Sequence, residues 1–279
     1  MIDKRTNTGK WLLLLFVCVA ITGFAGNTGD SIKTIRLLTV GNSFAENPCT
    51  FLEQITNSVP GCTLYLTKAN IGGCSLEKHA RLMQRFRVDT SCRPYANRTN
   101  LFELLQKEKY NYVTIQQASP LSFIVDSLQP YADSLVNCIR QNAPNSEILI
   151  QETWAYSPTC PRLASWNISR DSMQRGILKT YTSLIDRYHF RAIPSGNAMY
   201  SFYKKYPKVN LWSEKDGFHA GMQGCYLLGC VWFGVLFDIS PEKITFVPEG
   251  MKPRLAKKMR TVAAREIELM KKNNGVIIY

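Results

Sequence analysis

The sequence has few of the residues from which metal centres are built. Its 279 residues include three histidines, His79, His189 and His219, and its nine cysteines form no Cys-x-x-Cys pair. Structural zinc sites usually take four ligands from closely spaced cysteines and histidines. The sequence therefore gives no support for a zinc site, and we expect the protein to need neither a metal nor another cofactor.

Repeats and acidic residues are also scarce. No fixed-period repeat is visible, which argues against solenoids and propellers. The chain has 34 basic and 21 acidic residues, and much of the excess lies in 252–272. This segment is typical of a helix with a solvated basic face, and attraction to an anionic polysaccharide or membrane surface is the weaker alternative. No motif interleaves basic and aromatic residues, so we expect no nucleic-acid partner.

The N-terminal segment differs from the rest of the chain. Basic residues within the first ten positions precede an apolar stretch at 11–24, and small residues follow near Ala25. This layout predicts a signal peptide at 1–25 and an exported domain at 26–279, periplasmic or extracellular. The apolar stretch is short for a membrane span. An uncleaved anchor is the alternative, in which case the leader alone would contact the membrane.

Eight cysteines remain after the predicted leader is removed. An even number in an oxidising compartment permits disulfides. Several lie in apolar runs, where a free buried thiol is the alternative, and the sequence assigns no pairs. These cysteines are Cys49, Cys62, Cys74, Cys92, Cys138, Cys160, Cys225 and Cys230.

Strand-like and helix-like segments alternate along the chain. The predicted strands are 35–40, 63–71, 112–115, 147–151 and 190–193. The predicted helices are 47–58, 76–87, 126–141, 171–188, 220–236 and 252–272, with a loop at 203–218. Alternation of this kind predicts an α/β fold, a three-layer α/β/α sandwich with about five parallel strands. Ligands of such sheets bind beyond the carboxyl ends of the strands.

A candidate nucleophile follows the first predicted strand, in Gly41-Asn42-Ser43-Phe44. A serine becomes a nucleophile only beside a base. At a strand-to-helix turn, the first helical amides can also stabilise a developing oxyanion. The ordinary alternative for Ser43 is a helix cap.

The candidate base comes from one of two Asp-x-x-His sequences. Asp186 and His189 lie at the end of a long predicted helix, where a surface pair is expected. Asp216 and His219 lie in a glycine-containing loop. That loop can fold back so that Asp216 accepts the Nδ1 proton while Nε2 faces Ser43. We therefore expect His219 to be the base.

Polar and glycine residues follow the other predicted strands. Gly72-Gly73 lets the backbone approach a substrate and offer an amide, and Gln116-Gln117 brings a side-chain amide to the same edge. Ordinary turns are the alternative in each case. His79 follows the glycine pair and is expected to orient the loop. Glu152 and Trp154 follow the fourth strand and could line a substrate wall.

These motifs together resemble the SGNH, or GDSL-like, hydrolase superfamily over about 35–237. Gly41-Asn42-Ser43-Phe44 resembles the first block, with Asn42 where Asp is usual. Asn70-Ile71-Gly72-Gly73 resembles the second block, and Asp216-Gly217-Phe218-His219 resembles the last.

The resemblance implies a flavodoxin-like fold and a role for each matched residue. Ser43 would be the nucleophile, His219 the general base and Asp216 the residue that orients it. The backbone amides of Ser43 and Gly73 would stabilise the oxyanion.

The third block departs from the family pattern. That pattern is Gly-x-Asn-Asp, whose Asn supplies a third oxyanion donor, whereas this chain has Gln116 and Gln117 at the corresponding place. The chain is similar here to a bacterial branch of the superfamily that keeps glutamine. We expect Gln116 to replace the Asn, with Gln117 as the alternative, because strand alternation turns only one of them toward the site.

The expected activity is ester hydrolysis by an exported enzyme, with an O-acetyl group on a carbohydrate as the expected substrate. Asn42, Glu152 and Trp154 are the candidate substrate-binding residues, and Tyr156 and Trp212 are further candidates for stacking on a sugar. The alternatives are a lipase- or thioesterase-like hydrolase and a non-catalytic carbohydrate-binding protein on the same scaffold. The sequence does not indicate an oligomeric state.

Overall fold

A parallel sheet of five strands forms the centre of the computed structural model, which describes Met1 and residues 32–273. The predicted signal peptide, apart from Met1, lies outside the described residues. The strands are β1 (Lys33–Gly41), β2 (Cys62–Asn70), β3 (Tyr112–Ile115), β4 (Glu147–Gln151) and β5 (Ala192–Ile193). Their order in the sheet is β2-β1-β3-β4-β5, and every pair is parallel. The predicted α/β fold is confirmed.

Helices cover both faces of the sheet. The α-helices are α1 (Ser43–Cys49), α2 (Leu52–Asn57), α3 (Leu76–Val88), α4 (Leu101–Gln106), α5 (Tyr131–Asn142), α6 (Pro161–Ser165), α7 (Arg170–Tyr188), α8 (Ser195–Lys205), α9 (Met222–Phe237) and α10 (Pro253–Lys272). Short 3₁₀ turns lie at Ala96–Arg98, Val125–Ser127 and Pro241–Lys243.

The burial pattern explains which elements are central. Leu37 and Leu38, neighbours on β1, are both fully buried, as expected for a strand covered on two faces. The helix α9 is apolar around its whole circumference, and it packs against α1, α2, α8 and α10. A helix without a polar face is stable only when it is enclosed in this way.

The strands match the prediction closely, but the helices differ in places. The predicted helix 47–58 begins earlier, at Ser43, and divides into α1 and α2, while the predicted helix 126–141 begins at Tyr131 after a 3₁₀ turn. The helices α4, α6 and α8 were not predicted. The last of these extends into the predicted loop 203–218.

The start of α8 shows why it was missed. The dipeptide Ser195-Gly196 is typical of a turn. Here, however, the glycine lets the first turn of α8 pack closely against the backbone just after β4. A Cβ atom there would lie 2.1 Å from the Thr153 carbonyl oxygen. Glu152 Oε2 also accepts the Asn197 amide at 2.9 Å, so the residue directly after β4 supplies the cap.

All eight cysteines of the described residues carry free thiols. Within residues 32–273, no helix combines the length and the apolar character needed to cross a membrane.

Candidate active site

Ser43 is the first residue of α1, directly beyond the end of β1. The cap of this helix is Asn42, whose Oδ1 accepts the Phe44 amide at 2.9 Å. Capping is therefore performed by the preceding residue, which leaves the Ser43 hydroxyl available for another partner. The side chain is half-buried.

A continuous chain of hydrogen bonds joins three predicted site residues. Ser43 Oγ lies 2.8 Å from His219 Nε2, and His219 Nδ1 lies 2.7 Å from Asp216 Oδ2. With the Nδ1 proton donated to Asp216, Nε2 is left unprotonated and accepts the hydroxyl proton of Ser43. This is the arrangement in which a histidine can activate a serine.

The Asp216 loop folds back on itself. Asp216 Oδ1 accepts the amides of Phe218 and His219 at 2.9 and 3.0 Å. Partial burial by itself raises the pKa of the Asp216 carboxyl, but the hydrogen bonds from the His219 ring and from these two amides lower it below its ordinary value. The carboxylate is therefore ionised at neutral pH and fixes the ring of His219.

The site is open to solvent. The side chains of His219 and Asp216 are 30% and 26% exposed. Phe44, which is buried, lies behind the site with its ring centroid 5.7 Å from that of His219. A substrate can therefore reach Ser43 from the solvent side.

The loop after β2 lies beside Ser43 because β1 and β2 are paired up to Gly41 and Asn70. Gly73 is exposed and has a φ of +65°, a conformation that strains residues with a side chain. Within residues 32–273, the backbone amides of Ser43 and Gly73 donate no hydrogen bond. Two unpaired donors are thus available for an oxyanion.

The geometry does not support the expectation that Gln116 or Gln117 is the third oxyanion donor. Gln116 is buried, and its Nε2 donates to Asn42 Oδ1 at 2.7 Å. Gln117 is fully buried, and its Nε2 donates to the carbonyl and hydroxyl oxygens of Ser127. Both amides are used inside the protein because tertiary contacts enclose the end of β3.

The structure places the side chains of the predicted substrate-binding residues, Asn42, Glu152 and Trp154, away from the solvent. Asn42 is 2% exposed, and Glu152 and Trp154 are fully buried. The Trp154 ring stacks on Phe44, the residue after Ser43, with centroids 4.2 Å apart. Burial likewise prevents Tyr156 and Trp212 from stacking on a sugar.

His79 is buried on α3, and its two ring hydrogen bonds go to residues outside the Gly72-Gly73 loop that it was expected to orient. Its Nε2 donates to the Gly41 carbonyl at 3.0 Å, and its Nδ1 accepts the Tyr95 hydroxyl at 2.8 Å. Burial lowers the pKa of His79 to about 4, so the ring is neutral at ordinary pH. His189 is exposed at the left-handed C-cap of α7, in agreement with its interpretation as a surface residue.

One supporting residue was missed in the sequence. Asn47, on α1, accepts the Ala220 amide at 3.2 Å and so fastens the residue after His219 to the helix that begins at Ser43. The two residues are 173 positions apart, and no local pattern signals the contact. Within residues 32–273, no three His, Cys, Asp or Glu side chains are grouped so as to hold a metal ion.

Comparison with known proteins relates this geometry to a fold family. The model of the family described as "domain of unknown function (DUF4886)" matches residues 36–266. A DUF4886 family protein from Bacteroides uniformis ATCC 8492 is 25% identical, with a TM-score of 0.77 covering 85% of this chain and 95% of that one. No curated protein matches.

More distant solved structures share the fold. A protein from Slackia heliotrinireducens, provisionally described as an SGNH hydrolase, has a TM-score of 0.53 at 18% identity, covering 72% of this chain and 97% of that one. The acetyl xylan esterase AlAXEase has a TM-score of 0.51 at 14% identity, covering 72% of this chain and 100% of that one. The fold is that of the SGNH hydrolases, as the sequence motifs predicted.

Proposed function

The chain belongs to the DUF4886 family and has the SGNH hydrolase fold, and on this basis we propose that it is a serine esterase with Ser43 as its nucleophile. The observation that carries the proposal is the hydrogen-bond chain from Ser43 through His219 to Asp216. Ser43 and His219 are 176 positions apart in the sequence, and their reactive atoms lie 2.8 Å apart.

The reaction follows from this chain of contacts. Ser43 Oγ attacks the ester carbonyl carbon while its proton passes to His219 Nε2. The imidazolium that forms is stabilised by Asp216 through the Nδ1 hydrogen bond. The carbon–oxygen bond of the tetrahedral intermediate then breaks, and the alcohol leaves with the proton from Nε2. His219 next takes a proton from water, which attacks the acylated Ser43, and transfer of that proton to Oγ releases the acid.

The oxyanion of the intermediate would be held by backbone amides. The amides of Ser43 and Gly73 are unpaired within the described residues. Ser43 also begins a helix, whose N-terminal dipole favours negative charge. Hydrogen-bond donors already fixed in position stabilise a developing oxyanion without further reorganisation.

A short acyl group fits the surroundings of the nucleophile better than a long one. Phe44 follows Ser43, and the rings of Trp154 and Tyr156 both pack on it, with all three side chains buried. Phe218 is half-buried beside His219, with ring centroids 4.5 Å apart, and offers limited apolar contact. We therefore propose an acetyl ester, carried on a carbohydrate outside the cytoplasm if the N-terminal segment acts as a signal peptide.

Turnover of p-nitrophenyl esters from acetyl to octanoyl tests the proposal. The wild type should hydrolyse the acetyl ester fastest, and Ser43→Ala should reduce the rate to background. Ser91→Ala, at an exposed serine in the α3–α4 connection, is the matched control and should retain full activity.

Other outcomes point to other functions. Equal background rates for the wild type and Ser43→Ala would contradict the enzyme and favour a non-catalytic binding protein. A rate that rises toward octanoyl would indicate a lipase- or thioesterase-like enzyme. Release of acetate from acetylated xylan, compared with deacetylated xylan as a blank, tests the carbohydrate substrate.

A further inference from the structure

We propose that Gln116 and Asn42 form a polar clamp that holds the Gly73 loop in place, and that the oxyanion is bound by backbone amides without a third side-chain donor. This inference rests on the proposed esterase function. It assigns the third-block glutamine a positioning role that differs from that of the Asn usual in the superfamily.

The clamp is a short series of buried hydrogen bonds. Gln116 Nε2 donates to Asn42 Oδ1 at 2.7 Å, and the same oxygen accepts the Phe44 amide at 2.9 Å. Asn42 Nδ2 then donates to the Cys74 carbonyl at 2.8 Å. Asn42 and Gln116 are 2% and 1% exposed, so water does not compete for these bonds.

Only an amide side chain satisfies all the partners at position 42. The side chain must accept hydrogen bonds on one atom and donate one from the other. An ionised aspartate is an acceptor only and would face the Cys74 carbonyl oxygen without a proton to donate. The two departures from the superfamily pattern, Asn for Asp at 42 and Gln for Asn in the third block, are therefore parts of one contact.

The loop is fastened on both sides of Gly73. Before it, the Ile71 amide donates to the Gly41 carbonyl at 3.0 Å. After it, the Cys74 carbonyl is held by Asn42, and the Leu76 amide donates to Gln117 Oε1 at 3.1 Å. These contacts determine where the unpaired Gly73 amide lies. A misplacement of about 1 Å in a catalytic group can lower the rate about 100-fold.

Two variants remove the clamp with little other change. Asn42→Asp preserves the cap of α1, because Asp and Asn cap helices about equally well, and it loses the bond to Cys74. Gln116→Met has a similar shape and loses the donor without adding a charge. Within residues 32–273, Gln116 Oε1 accepts no hydrogen bond, so Met loses only the bonds of Nε2, to Asn42 and, at 3.5 Å, to the Gln117 carbonyl. Gln141→Met, on the exposed side of α5, is the matched control.

The experiment measures kcat and KM for p-nitrophenyl acetate together with hydrogen exchange of a peptide covering 71–76. Both clamp variants should lower kcat about 10- to 100-fold with KM within about threefold, because the lost contact acts mainly on the transition state. Exchange in 71–76 should become faster in both variants. Gln141→Met should match the wild type in rate and exchange.

Several results would overturn the clamp. A kcat of Asn42→Asp equal to that of the wild type would contradict the clamp. A lower kcat in Gln116→Met with unchanged exchange would show that Gln116 acts directly as an oxyanion donor. If the wild type and Ser43→Ala are equally inactive, the proposed function fails and the exchange measurement decides alone: faster exchange in either folded variant supports the clamp, and unchanged exchange in both contradicts it.

Discussion

Trp154 donates its indole N–H to the Phe218 carbonyl oxygen at 2.9 Å, and this bond ties the end of β4 to the residue beside the proposed base. The same indole stacks on Phe44, the residue after Ser43, at an interplanar angle of 19°. One buried ring therefore contacts the segments that carry Ser43 and His219. It helps to set the distance between Ser43 and His219.

Trp154→Phe should lower kcat several-fold. The smaller ring can still pack on Phe44, but the Phe218 carbonyl loses its donor, at a cost of about 1–3 kcal/mol in the free energy of unfolding. Steady-state kinetics and urea unfolding measure the two effects. Trp232→Phe is the control, because Trp232 is equally buried and donates to Ser195 on α8. It should destabilise the protein to a similar extent without lowering kcat; equal kcat values for the two variants would contradict the positioning role.

Gly73→Ala should lower kcat with a moderate loss of stability. No atom lies within 4 Å of the added Cβ, so the cost comes from the φ of +65°, about 1–2 kcal/mol. Relief of this strain would move the amide proposed to bind the oxyanion. Gly250→Ala has the same kind of strain, at a φ of +78° with open space around it, in the turn before α10. Thermal unfolding should show a similar loss of stability in both variants. A lower kcat is expected for Gly73→Ala alone.

Because of His79, the free energy of unfolding should decrease as the solution is made more acidic. Its pKa is about 6.5 in the unfolded chain, and in the folded protein burial lowers it to about 4, partly opposed by the Gly41 hydrogen bond. The stabilising contribution is full above pH 6.5 and is lost as the pH falls toward 4, by roughly 3 kcal/mol. His79→Gln removes this titration while retaining an amide donor. Urea unfolding from pH 7 to 4 should show a shallower decline in the variant than in the wild type, and parallel curves would contradict the assignment.

Glu152 should make the free energy of unfolding fall as the pH rises. Burial raises its pKa from 4.5 to about 8, opposed by the amides of Asn197 and Gly196 and reinforced by Glu266. Since the folded state holds the proton more tightly, this contribution is full below pH 4.5 and is lost as the pH rises to 8. Glu152→Gln mimics the protonated acid and should be more stable than the wild type at pH 8 by a few kcal/mol, but not at pH 4.5. Chemical unfolding at both values measures the difference, and an equal difference at the two values would contradict the prediction.

The sequence by itself determined the sheet and indicated the residues that are proposed to react. Strands β3 and β4 were predicted at their observed bounds, because continuous apolar runs between polar loops fit strands buried on both faces. Ser43, Gly73 and His219 were found because each follows a local signal: a strand end, a glycine pair or a short Asp-x-x-His spacing. Parallel topology then brings strand ends to one edge of the sheet.

The tertiary structure alone decided what the remaining polar and aromatic residues do. Gln116, Glu152 and Trp154 follow strands just as Ser43 does, yet they are buried and serve as a clamp, a helix cap and a support. Their burial depends on segments far away in the sequence, such as α8 and the His219 loop, and a local pattern carries no record of such contacts. Position at a strand end thus indicates the edge of the sheet, and only long-range packing determines whether a side chain there faces the solvent or the core.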